Sequence, residues 1–164
     1  MMNTKKALTV ILTMALVLGV YGVAHAANTA TQLVSFEVAA INEISVSGDP
    51  NTLVINAATP GSNPNPVTES STKYSITTNE TNKKIIARID TAMPTGLTLK
   101  VKLDAPTGAS SEGDVVLSTT AASVVTGIGP VAESSLTITY TLEATAEAEV
   151  SSGQRTVTFT LTDA

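Results

Sequence analysis

Three carboxylates lie close together in this sequence: Asp104, Glu112 and Asp114. A pair of carboxylates can hydrolyse a glycosidic bond, one as acid and one as base or nucleophile. Three can offer oxygens to calcium. The surrounding residues favour neither. Sugar-cleaving sites of that kind usually stack the ring on aromatics, and the chain has three Tyr, two Phe and no Trp. No D-x-D-x-D-G calcium loop is present. The simpler reading is a turn-rich loop with solvated charges. Asp49 follows Ser47-Gly48 and precedes Pro50, so it reads as a turn residue.

Other chemistries lack their reagents. Nucleophilic triads need a histidine or a thiol, and zinc sites need Cys or His ligands. The chain has no Cys, and its one histidine, His25, lies in the leader described below. No glycine-rich phosphate loop follows a strand pattern. Asn79-Glu80-Thr81 fits a glycosylation sequon, a three-residue match that is common by chance. Lys83 and Lys84 form a short basic pair, read as solvated. The expectation is a protein without catalytic residues, metal or cofactor.

The elements that would carry any function begin with a targeting segment. Lys5 and Lys6 are followed by the apolar run Ala7–Val20 and by Ala24-His25-Ala26, the three-part layout of a secretory signal peptide. The run is short for a membrane span, which needs about 20 residues. Cleavage after Ala26 is expected, with residues 1–26 forming a signal-peptide helix beforehand. It would leave 138 of the 164 residues, without His, Cys or Trp. The basic residues would fall from nine to seven against fourteen acids, a net charge of −7. Such a surface repels nucleic acid and anionic membranes. With no disulfide available, stability must come from an aliphatic core and from strand pairing, for which a domain of this size is sufficient.

Beyond the leader the apolar pattern has period two. Leu97, Leu99, Val101 and Leu103 alternate with Thr98, Lys100 and Lys102; Leu136, Ile138, Tyr140 and Leu142 with threonines; Val157, Phe159 and Leu161 likewise. Alternation gives each segment a buried and a wet face, and threonine favours extended backbone on the wet one. Weaker strands are expected at Leu53–Asn56, Lys73–Thr78, Lys83–Asp90 and Val115–Ser118. Residues 79–82 would close a Lys73–Asp90 hairpin. Met93-Pro94-Thr95-Gly96 marks a turn. Ala58–Ser71 reads as a long polar loop, Thr119–Gly127 as a helical turn, and Glu143–Val150 as strand end and loop. The whole is expected to be all-β: an antiparallel Ig-like or pilin-like β-sandwich of about 7–9 strands with Greek-key wiring, occupying residues 41–164 behind an N-terminal extension, 27–40.

The extension is the informative part. Thr31–Val46, TQLVSFEVAAINEISV, has no Gly or Pro. Val34, Phe36, Val38 and Ala40 share one face of an extended chain, and Leu33 starts the other. Burying Val34, Phe36 and Val38 would contribute roughly 5–9 kcal/mol, against about 5–15 kcal/mol for a whole domain. Docked in its own domain, this strand completes a monomer. Docked in a neighbour, it completes that neighbour's sheet, and a head-to-tail contact that does not close gives a filament.

A cysteine-free, Thr/Ala/Val-rich β-sandwich behind a signal peptide and an apolar strand resembles donor-strand fibre subunits. These are the alternate chaperone–usher pilins of enterobacterial coli surface antigens, the archaeal bundling pilins and the TasA/camelysin fibres. The resemblance implies that the donor lies within Ala27–Ala40, with Leu33, Val34, Phe36, Val38 and Ala40 as polymerisation residues. The implied partner is the protein itself, as a head-to-tail homopolymer at the cell surface, with an assembly chaperone as a second candidate. The chain departs from the commonest chaperone–usher type, having no paired cysteines and Asp163 where that type carries a penultimate tyrosine. The alternative is a monomeric cell-surface module that binds a glycan or protein through Ala58–Ser71 or Ala105–Asp114.

Overall fold

The alternating segments become strands because only a pleated backbone puts every second side chain into one shared core. A computed structural model describes residues 28–164. The expected signal peptide at 1–26 and its helix lie outside the described residues. Ten strands follow in order: β1 Asn42–Val46, β2 Val67–Glu69, β3 Lys73–Thr78, β4 Lys83–Ile89, β5 Leu97–Leu103, β6 Ser110–Ser111, β7 Val115–Val116, β8 Ala122–Ile128, β9 Val131–Ala144 and β10 Val157–Asp163. They form two antiparallel sheets, consistent with a β-sandwich. One has the order β1-β3-β9-β5-β7, with β2 also on β9; the other has the order β10-β4-β8-β6.

The core is mainly aliphatic, as the composition requires, with two buried tyrosines, Tyr74 and Tyr140. Tyr74 and Ile76 on β3, Val101 and Leu103 on β5, and Ile138 and Tyr140 on β9 face Ile85, Ala87 and Ile89 on β4 and Val124, Val125 and Ile128 on β8. Strand β9 is the spine of the larger sheet. Its first half pairs with β3 and its second half with β5 and β2. At about 3.4 Å per residue its fourteen residues run for roughly 45 Å.

Four sequence expectations are corrected here. The strand count is ten rather than 7–9, because β2, β6 and β7 are two- or three-residue pieces. Thr119–Gly127 contains no helical turn; most of it is β8, a strand paired on both sides. The register of β4 against β8 shifts between Ile85/Val125 and Ile86/Ser123, so both adjacent valines, Val124 and Val125, turn inward. That bulge breaks the alternation by which a strand is read. Lys73–Asp90 is not a hairpin: β3 and β4 belong to different sheets, and residues 79–82, with Asn82 at φ 59°, carry the chain between them. Lys83 is not solvated. Its ammonium is largely covered and donates to Asp163 and Glu80 where β4 begins and β10 ends.

Burial makes the fold alkali-sensitive. Burial first, then the charges of Glu69 and Asp49, push the Tyr140 hydroxyl up to about 12. Burial, then Asp104 and Glu133, also raises Tyr74. Hydrogen bonds to Asp163 and then Glu80 raise Lys83 against an opposing desolvation. A tyrosine in the unfolded chain releases its proton near pH 10 while the folded one keeps it. The unfolded state therefore binds fewer protons between about pH 10 and 12, and stability falls as pH rises. The Lys83 contribution has the same sign: it is present below the unfolded lysine value of about 10.4 and lost above it. The urea midpoint is expected to drop between pH 9 and 11.5, and Tyr140→Phe to flatten that drop. An unchanged midpoint over the range would contradict the assignment.

Candidate functional site

Two features stand out, and they lie at opposite ends of β9. The first is where the chain enters β1. Asn79, just past β3, grips the incoming backbone with three hydrogen bonds. Its side-chain Oδ1 accepts from Ile41 N–H at 2.8 Å, its Nδ2 donates to the Ala39 carbonyl at 2.8 Å, and its backbone N–H donates to the Ile41 carbonyl at 3.3 Å. The side-chain amide acts like an additional peptide group, so extended pairing continues past the end of the sheet. Asn42 next to it accepts from the Thr78 hydroxyl and donates to Glu80. The sequon asparagine is thus occupied in holding the segment.

Upstream of this grip the chain divides between Glu37 and Val38. Residues 29–40 lie in no sheet among the described residues. Leu33 is 92 %, Val34 71 %, Phe36 93 % and Val38 76 % exposed, and Ala40 is exposed too. All five expected polymerisation residues therefore present apolar surface to solvent. Large apolar side chains in such a row are a sticky edge.

The second feature is a cleft of about 730 Å³ at the far end of β9. Leu97 and Leu142 from the paired ends of β5 and β9, with Met93 and Pro94, supply apolar lining. The segment 52–58 borders it on one side and residues 144–155 on another. Leu53–Asn56, expected as a strand, is in no sheet here. It keeps strand alternation nonetheless: Leu53 and Ile55 are half-buried, while Val54 is 55 % exposed. Nothing in the sequence revealed that this segment would lack a partner, because its own pattern resembles that of the paired strands.

One glycine shapes the wall of the cleft. Gly96 sits at φ 80°, and its carbonyl accepts from Thr145 N–H at 2.8 Å. A Cβ there would come within 2.7 Å of the Ala148 backbone nitrogen. Gly96→Ala is expected to cost at least about 1–3 kcal/mol from backbone strain alone, with the overlap added. A urea midpoint equal to that of the parent would contradict both the strain at Gly96 and the overlap with Ala148.

The carboxylates that opened the question do not assemble. Glu112 accepts from the Thr126 hydroxyl at 2.7 Å, the Asp104 carbonyl accepts from the Tyr74 hydroxyl, and Asp104 and Asp114 are exposed. No group of three metal-ligating side chains converges among the described residues. The two loops considered for ligand binding are partly structured: Ala58–Ser71 contains β2 and Ala105–Asp114 contains β6. Only Ala58 and Pro64 of the first border the cleft, and none of the second does. No protein-family model and no curated protein matches the chain.

Proposed function

We infer that this protein is a structural subunit of an extracellular filament, exported by its leader and assembled when the N-terminal segment of one copy adds a strand to the next. The observation that carries this reading is the unpaired row Leu33, Val34, Phe36 and Val38, 71–93 % exposed, ahead of a fully formed domain. A monomer gains nothing from displaying three groove-filling side chains whose burial would contribute roughly 5–9 kcal/mol. A second copy gains all of it. The reading assigns the sandwich to the Ig-like, pilin-like class and gives the protein no catalytic role. The grip of Asn79 on Ala39 and Ile41 supports it by keeping the approach to β1 extended.

The test is negative-stain electron microscopy of residues 27–164 beside a chain starting at Ile41. Filaments from the first and folded, unassembled protein from the second are the expected result. Monomers from the first, with the amides of residues 31–40 protected from exchange, would overturn the reading.

A further inference from the structure

The geometry points to the far-end cleft of another copy, along Thr52–Asn56, as the receiving site for the N-terminal segment, and to chain length as the reason a molecule cannot fill its own. This deepens the filament reading and rests on it.

The receiving edge is already extended and unpaired. Thr52–Asn56 makes no backbone–backbone hydrogen bond among the described residues, so N–H and C=O groups along it are available to an added strand. Val34, Phe36 and Val38 span four residue steps, about 14 Å, which fits within the stretch 52–58 that borders the cleft. An incoming strand paired there would put alternate side chains over Leu97 and Leu142 and leave Glu37 on its outer face.

Reach decides between the same copy and another. Ile41 is held by Asn79, one residue beyond the pair Thr78/Val131 where β9 starts. Leu142, on the cleft, is eleven residues further along β9, one of them taken up by the bulge opposite Tyr74 and Ile76, roughly 33 Å away by strand rise. Val34 precedes Ile41 by seven residues, which fully extended span at most about 25 Å. Phe36 and Val38 reach less far still. The apolar row of one molecule therefore falls short of its own cleft. Donor at one end and acceptor at the other is a heterologous contact, which propagates rather than closing as a pair.

The chain has no cysteine, so an introduced pair reports cleanly. Phe36→Cys with Leu142→Cys, oxidised in preformed filaments of residues 27–164, is expected to give a ladder of covalent multimers. Phe36→Cys with Leu161→Cys, which tests the outer edge of β10, is expected to give none. In parent filaments, amides of Thr52–Asn56 are expected to exchange at least tenfold more slowly than in monomers, a readout that needs no variant. Filaments that cross-link only through Leu161, or that leave 52–56 unprotected, would overturn this site while sparing the filament reading. A disulfide within one chain for the Leu142 pair would overturn the argument from reach. No filaments at all would remove both.

Discussion

A chain carrying Phe36→Asp and Val38→Asp is expected to fold as the parent does and to form no filaments. Both side chains are exposed in the single molecule, Phe36 at 93 % and Val38 at 76 %, so neither contributes to the domain's own core. Surface substitutions of that kind usually change stability by less than about 0.5 kcal/mol. In the assembled state the same positions would be buried. Losing two apolar side chains removes about 3–6 kcal/mol, before the penalty for burying unpaired carboxylates. At 1.4 kcal/mol per tenfold, the contact weakens by at least about a hundredfold. Sedimentation at a fixed concentration measures the loss of assembly and the urea midpoint the retained stability. Loss of both would place Phe36 or Val38 in the domain's core and move the function to a monomer. Loss of neither would remove the segment from assembly.

Tyr74 is expected to show the largest single effect on stability. It is 1 % exposed, lies on β3 between β1 and β9, and donates its hydroxyl to the Asp104 carbonyl. Tyr74→Phe removes only that bond, and because Asp104 is exposed, water can replace it; about 1 kcal/mol is expected. Tyr74→Ala also empties an aromatic-sized space in the core that Tyr74 shares with the other buried residues, and about 3–5 kcal/mol is expected. With a urea slope of about 2 kcal/mol/M, the midpoints should fall by about 0.5 M and about 2 M. Equal losses for the two variants would mean that the hydroxyl, not the ring, is what β3 contributes.

The fold was legible where side chains alternate and opaque where they do not. The segments of β5, β9 and β10 announce themselves because each alternates an apolar face with a polar one, of threonine in β9 and β10 and mostly of lysine in β5. Strand β8 does not, since its bulge turns Val124 and Val125 to the same side and Gly127 weakens the pattern. Residues 79–82 look like a hairpin turn in sequence, and only pairing partners far along the chain, β9 for β3 and β8 for β4, pull the two strands into different sheets. Lys83 reads as a surface charge until Asp163, eighty residues away, arrives beside it. The site divides the same way. The apolar row before β1 was visible from its spacing, because alternation is local; whether it would pair within its own domain was not, because pairing depends on distant residues. The cleft was not, because it is made by Met93, Leu97 and Leu142 meeting a lone segment from residues 52–58.

The three-bond grip of Asn79 has a mechanical consequence. Tension on the N-terminal segment passes through Ala39 and Ile41 directly into β1, along the strand rather than across it. Strand β1 is paired with β3 over all five of its residues, from Asn42/Thr78 to Val46/Tyr74. A lengthwise load strains every bond of that ladder at once, whereas a load at right angles would open them one after another. Asn79 thus sets the direction in which a stretched molecule bears force, and it sets it to the direction in which a short strand is hardest to extract.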